Sequence, residues 1–395
     1  MKLALQYGWG MKQLTLDLLA HWGEGLVILS PRDVKEEVML RLSKQIHKKR
    51  GEVCFDPQFY LPHSDLKKLK DYSFWPSTYD TMAFWSSGQL DRLVIDILKK
   101  NAELDTKYVI LPGLLAPRVD VMWLKYQEMI RESAKKHQKQ EKMLMTIALG
   151  GKAVRDDSQI QAVLDASNKW DVDGFYVVLE HPDSNYIVSD ETWMTNAMEL
   201  CAGLKVRGKI VVFGYSNQQM LSLACANVDY ICSGSWMNVR VFPQDKFMES
   251  EAEFRNKSIW IYSPDLFSEF KVNTLDAAKK SGLIGAILPK HPHDVEPGKK
   301  IYIATQPSLI AEFNIAFFYY LDRLRNQAET LKLATFDTTM SNYLAKLDHA
   351  STQVTLLKSS GIKSAPRDIS LGQEAVVDAL NMLVLRRRGQ LKRKW

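Results

Sequence analysis

The chain predicts an α/β fold: a closed (β/α)8 barrel followed by a C-terminal helical appendage. Three observations carry this. Eight apolar runs, Leu3 to Gln6, Leu26 to Leu29, Val53 to Phe55, Tyr108 to Leu111, Leu144 to Leu149, Phe175 to Leu179, Ile210 to Phe213 and Tyr230 to Cys232, are too short for helices and read as strands buried on both faces. A helical or loop segment separates each run from the next, so neighbouring strands should be parallel. The 395 residues, 46% hydrophobic and 25% charged, suffice for a barrel of ~250 residues with a third of the chain left over. The doubly wound open sheet is the main rival. Residues 1–305 are assigned to the barrel, with a late insert around 243–303, and residues 306–395 to a helical region with a basic tail.

Composition narrows the function classes. No apolar run approaches the ~20 residues of a membrane span, and the first ten residues are interrupted too soon for a secretory signal, so a cytoplasmic protein without a membrane partner is expected. Cys54, Cys201, Cys225 and Cys232 show no paired spacing, which argues against a disulfide scaffold or a zinc knuckle. His291 and His293 around Pro292 are too sparse a ligand set for a metal site, and no cofactor is expected. The net charge of +6 and pI of about 8.9 leave room for a polyanionic partner without requiring one.

In a barrel, chemistry sits at the C-terminal ends of the strands, so each strand ending is read in turn. The first runs into Tyr7-Gly-Trp-Gly-Met11, a tight loop whose tryptophan holds a base or sugar or serves as a packing lid. The second stops at Ser30-Pro31-Arg32-Asp33, which reads as a helix start with Ser30 as N-cap. The third ends in Cys54-Phe55-Asp56-Pro57-Gln58-Phe59-Tyr60, placing a carboxylate at the rim, either catalytic or capping a turn. The connection from Asp71 to Gly88 carries Trp75 and Trp85 among other aromatics; it either covers a pocket and stacks on a planar ligand or packs as a satellite cluster. After the fourth strand come Arg118 and Asp120, and the following helix ends in a cationic, solvated Lys135-Lys136-His137. The fifth strand ends in Gly150-Gly151, which permits close backbone approach to a ligand or a plain turn. Glu180 follows the sixth strand as a second rim carboxylate or a loop cap. The seventh ends in Phe213-Gly214-Tyr215-Ser216, and a helix from Asn217 leads to the eighth, which ends in Cys232-Ser233.

This order of endings resembles the tRNA-guanine transglycosylase superfamily, which exchanges guanine in a nucleic acid for a 7-deazaguanine, and especially its DNA-modifying paralogues. The likeness covers roughly residues 50–330. Asp56 to Tyr60 resembles the family's Asp-Ser-Gly-Gly-Phe-Gln, Gly150-Gly151 its Gly-Gly pair, and Phe213 to Cys232 its Gly-Val-Gly, helix, Gly-Val-Asp-x-x-Asp. Phe313 to Tyr319 with Arg323 and Arg325 is similar to its post-barrel helix. The resemblance implies a pentosyltransferase acting on DNA, or on tRNA, with a 7-deazaguanine base as co-substrate; an ATPase or helicase partner is compatible with it. The departures are specific: Cys232, or Ser233 with a one-residue shift, stands where the family has its nucleophilic aspartate, its cysteine-rich zinc motif is missing, and its base-reading aspartate after the fourth strand has no counterpart.

Base exchange needs a nucleophile on the anomeric carbon and an acid for the departing purine. Asp56, Cys232 and Glu180 are the catalytic candidates. Gln58, Tyr60, Trp75, Trp85, Gly150, Gly151, Gly214 and Ser233 are expected to bind the substrate, a nucleotide that is single stranded or flipped out. A thiol at Cys232 would need a lowered pKa; otherwise it is a small buried hydrophobe. Leu309, Phe313, Ala316, Phe317, Tyr320, Leu321 and Leu324 form a helical core-facing stripe. Ser370 and Gln373 pattern as a capping box for a helix to about Leu385. The end, with Arg386, Arg387, Arg388, Lys392, Arg393 and Lys394, places six cations in nine residues and, with Arg240, is the expected phosphate-contacting set. Two other classes remain: a small-molecule barrel lyase or hydrolase using Asp56 and Glu180, and a catalytically silent barrel serving as a nucleic-acid-binding subunit of a larger modification or defence assembly.

Overall fold

The barrel strands are β1 Lys2–Gln6, β2 Gly25–Leu29, β3 Gly51–Phe55, β4 Thr106–Ile110, β5 Met143–Leu149, β6 Gly174–Leu179, β7 Ile210–Phe213 and β8 Tyr230–Ser233. The structure, a computed structural model, describes all residues except 87, 139–141, 243, 250–256 and 289–295; the histidines at 291 and 293 lie outside the described residues. Each strand pairs in parallel with its sequence neighbour, and β8 returns to β1 through Lys2↔Tyr230, Leu3↔Ile231 and Ala4↔Cys232. The ring is therefore closed, and the open sheet is excluded. A two-residue strand, Leu115–Ala116, extends the ring beside the end of β5.

Closure explains why the strand sequences lack alternation. Every residue of β5 and β6 is buried, because one face looks into the barrel and the other onto the helices. Those helices are α1 Lys12–Trp22, α2 Glu36–Lys48, α3 Gln89–Leu104, α4 Val121–His137, α5 Asp157–Ser167 and α6 Glu191–Val206. Asp120 and Asp190 cap α4 and α6 by accepting the backbone N–H of Trp123 and Trp193. The cations ending α4 pair at the surface, Lys135 with Asp171 and Lys136 with Asp91.

Two local expectations change. The segment after β7 is a wholly buried 3-10 helix, Gln218–Ala226, because it is enclosed by α6 and the C-terminal helices and follows their surface. After β2 the chain forms a turn, with the Asp33 and Val34 N–H groups both donating to the Ser30 carbonyl, so the helix starts only at Glu36 and Ser30 does not cap it.

Beyond the barrel, the hairpin Trp260–Ser263/Ser268–Lys271 precedes three long helices, α7 Phe313–Leu331, α8 Phe336–Ser359 and α9 Gln373–Lys394. Helix α7 packs on β1 and α1, which is the place of an eighth barrel helix. A second apolar core joins the hairpin side to α7 and α8 through Ile261, Phe270, Tyr319, Val354 and Leu357. The expected capping box before α9 is absent: Asp368 accepts the Ser370 N–H, and Gly372 holds the N-cap position.

Candidate functional site

The residue that organises the mouth of the barrel is Asp56, just past β3. Its carboxylate is 1% exposed. One oxygen accepts the Gln58 N–H at 2.9 Å. The other accepts from the hydroxyls of Tyr60 at 2.8 Å, Tyr176 at 3.4 Å and Tyr215 at 3.5 Å. Burial outweighs these hydrogen bonds and pushes the carboxyl up to about 6, while burial and the neighbouring Asp56 charge push the three phenols well above their ordinary range.

Backbone strain collects at the same place. Gln58 and Tyr215 both adopt left-handed φ, 53° and 54°, which non-glycine residues seldom do. The Gln58 amide donates to the Tyr215 hydroxyl at 2.9 Å and accepts the Arg32 N–H at 3.0 Å, so the two strained residues hold each other and the turn after β2. Gly214 is glycine for a steric reason: a Cβ there would lie 2.7 Å from the Tyr176 hydroxyl.

Several predicted site residues prove to have other duties. Cys232 is wholly buried on β8, and burial with the nearby charges of Cys54 and Asp56 raises its thiol well above the usual range. A thiolate nucleophile needs the opposite, so Cys232 fills the role of a small hydrophobe. Ser233 beside it is buried, its hydroxyl 3.4 Å from that of Tyr320. Glu180 accepts the Gly151 N–H at 2.8 Å and the Gln244 N–H at 3.4 Å, so this carboxylate, together with Gly150 and Gly151, ties the β5 and β6 endings to the loop after β8. None of Asp56, Cys232 and Glu180 lines either of the two hollows at the C-terminal side of β1 and β2.

The aromatic connection packs as a satellite cluster. Trp75 and Phe84 contact Phe59 at ring distances of 5.2 and 5.8 Å, and Trp85 stacks on Tyr126 of α4 at 4.0 Å. Trp75 and Trp85 are buried, because two short helices, Lys67–Lys70 and Thr81–Ser86, fold the segment down onto the barrel.

The expected phosphate contacts are also corrected. Arg240 is buried, its guanidinium 3.5 Å from the Tyr320 ring centroid and paired to Glu269 at 3.1 Å. Glu269 in turn accepts from Arg367 at 2.8 Å and Tyr186 at 2.6 Å, an enclosed network joining the barrel mouth to the C-terminal region. The basic tail is the last two turns of α9, docked along α6. Arg386 pairs with Asp157, Arg387 with Glu199, and Arg388 and Lys392 with Asp337, whereas Arg393 and Lys394 are exposed.

What the strand-end motifs do not reveal is the open space. Two hollows of about 490 and 470 Å³ lie at the C-terminal side of β1 and β2 and share Trp9, Arg32, Asp33 and Lys68 in their walls. Arg32 and Asp33, paired at 3.0 Å and nearly enclosed, form the ridge between them. Tyr7 and Arg41 line one hollow, Asn238 and Lys246 the other. Lys246 donates to the Val241 carbonyl, and burial with the neighbouring Arg32 charge takes its ammonium well below its ordinary pKa. The signal that could have found this site was the Tyr7-Gly-Trp-Gly loop: Gly10 has φ +77°, which turns the chain and leaves Trp9 65% exposed.

No protein-family model and no curated protein matches the chain. Among solved structures it is similar to the Y628A carboxyl transferase domain of Rhizobium etli pyruvate carboxylase with pyruvate, at 10% identity over 98% of this chain, with a TM-score of 0.34. The chain spans 62% of the length of that domain. It is also similar to an amidohydrolase from Burkhoderia ambifaria with bound zinc, at 9% identity over 96% of this chain and 98% of that one, with a TM-score of 0.30. Likenesses of this size carry nothing about chemistry. The closed parallel ring of eight strands establishes the fold by itself: the chain is a (β/α)8 barrel with a C-terminal helical region.

Proposed function

We propose that this chain is a transglycosylase-type barrel enzyme that handles a guanine-class base of DNA or tRNA, with Asp56 as the proton donor to the departing base. The observation that carries the reading is the state of Asp56. A carboxyl raised to about 6 at the end of a barrel strand is roughly a tenth protonated at pH 7, against about a thousandth for an ordinary aspartate, which moves it toward the range of a general acid. The strained pair Gln58 and Tyr215 around it marks the same spot.

The enclosed thiol at Cys232 is no thiolate nucleophile, so on this reading the exchange proceeds stepwise without it. The bond from the anomeric carbon to the purine nitrogen breaks as the base takes the Asp56 proton, leaving an oxocarbenium ion. The departing base is replaced on the same face by the 7-deazaguanine, whose nitrogen bonds that carbon and returns its proton to the Asp56 carboxylate. Asp56 lines neither hollow, so on this reading substrate reaches the acid only when the cover of Phe242 and Phe247 over Tyr60 and Tyr215 opens. Arg32, in the wall of both hollows, donates its backbone N–H to the Gln58 side chain beside that acid.

A second reading has its own support: the three tyrosines close over Asp56, as they would in a barrel that binds without reacting. Mass spectrometry of nucleosides from DNA and tRNA, in cells with the wild type or Asp56→Asn, separates the two. A modified base present with the wild type and lost with the variant supports the enzyme. Unchanged nucleosides with and without the wild-type protein leave the silent binding barrel.

A further inference from the structure

We infer that the paired hollows are one groove for single-stranded nucleic acid, with a base stacked on Trp9 and phosphates held by Lys68 and the cations around it. This rests on the reading above and deepens it, because it moves the nucleic-acid contact from the tail to the barrel mouth.

The geometry favours a strand over a single small molecule. Both hollows have Trp9 and Lys68 in their walls, so a chain can pass from one to the other across the Arg32–Asp33 ridge while keeping contact with each. Each hollow is of a size that encloses a drug-sized ligand, and a nucleotide is of that order. A tryptophan 65% exposed beside a polar hollow offers a flat face that any base can stack on, independent of sequence.

Unpaired charge bears on the rest of the ligand. Of the six carboxylates in the groove walls, Asp33 pairs with Arg32, Glu36 with Lys100 at 2.9 Å and Glu37 with Lys35 at 4.0 Å, Glu249 accepts the Lys67 N–H at 3.3 Å, and Asp71 and Asp245 are exposed without a cation partner among the described residues. Lys12, Arg41 and Lys68 are exposed and have no carboxylate partner among the described residues, which leaves cations at one end and in the centre. At the other end the Asn238 side-chain oxygen is buried without a hydrogen-bond partner among the described residues, and its amide can meet a base edge. Cations spaced along a cleft around an exposed aromatic are what a phosphate backbone with splayed bases requires.

The test is fluorescence anisotropy of labelled twelve-residue oligothymidine and oligouridine with the full-length protein across a salt series. Trp9→Ala, a surface change that should leave the melting temperature in place, is expected to weaken binding roughly 5- to 150-fold, the loss of one stacked base. Lys68→Glu is expected to weaken it further and to flatten the log-log salt slope by about one or more. Tighter binding of oligothymidine identifies DNA as the ligand, and tighter binding of oligouridine identifies RNA. Binding that both variants leave unchanged, or no binding by the wild type, overturns the groove. Asp56→Asn keeps the two ideas apart: it should bind as the wild type does even where base exchange is lost.

Discussion

The interior of the barrel mouth and the groove beside it are built from the same kind of sequence, polar residues just past apolar strands, yet they end in opposite states. Around Asp56 the polar groups turn inward and satisfy one another: Gln58, Tyr60, Tyr176 and Tyr215 all reach it or each other. Arg32 and Asp33 form the ridge between the two hollows, and Trp9 and Lys68 in the same walls are exposed to solvent. The difference lies in what covers each region. The endings of β3 and β7 lie beneath Phe242 and Phe247, which contact Tyr60 and Tyr215, whereas in the turn after β1 Tyr7 and Gly8 are buried but Trp9 and Gly10 stay exposed. A rim position is thus made reactive or accessible by its lid, and the strand ending alone does not choose.

The comparison can be broken most forcefully at the enclosed network. Glu269→Gln leaves Arg240 and Arg367 facing an uncharged group inside the protein, and should cost about 3–5 kcal/mol as measured by chemical denaturation. A loss below about 1 kcal/mol would mean that water already reaches this network. Trp85→Ala should be of similar size, about 3–5 kcal/mol, because a stacked, buried ring is deleted, while oligonucleotide affinity stays level. A fall in affinity without a fall in stability would instead return the segment at 71–88 to the binding surface.

A smaller effect comes from pH, and two enclosed groups oppose each other. Asp56 is raised from 3.8 to about 6, so its contribution is full below the lower value and is lost as pH rises through about 6. His181 is lowered by burial from 6.5 to about 4, so its contribution is present above 6.5 and is lost as pH falls through about 4. Removing the acid in Asp56→Asn should therefore steepen the loss of stability between pH 6 and pH 4, whereas His181→Gln should flatten it. Denaturation midpoints at half-unit pH steps read both slopes. Equal slopes in the variants and the wild type would show that water screens these groups.

The smallest expected effect is at the C-terminus. Four of the six terminal cations are already paired within the chain, so neutralising Arg393 and Lys394 should reduce the salt slope of oligonucleotide binding by about two at most. A drop of five or six on neutralising the whole set would show that α9 releases its partners to bind phosphate.

The eight strands were legible from the sequence because burial on both faces forces continuous apolar runs, and each observed strand lies within two residues of its run at either end. The place of Asp56, Gln58 and Tyr60 was legible too, since polar residues directly after such a run must sit at the mouth. Their partners were not. Tyr176 lies 120 residues from Asp56 and Tyr215 lies 159 away, and only closure of the ring brings them together. The same limit governed the cations and aromatics. Composition determined that the chain carries an arginine-rich end and a tryptophan-rich connection, but a local reading cannot tell a docked helix from a free tail or a packed cluster from a lid. Asp157, Glu199 and Asp337 neutralise the end from distant elements, and Tyr126 covers Trp85 from α4. Those pairings are long-range contacts between side chains whose local sequences are unremarkable. Tertiary structure decided them, and with them which residues stayed open to a ligand.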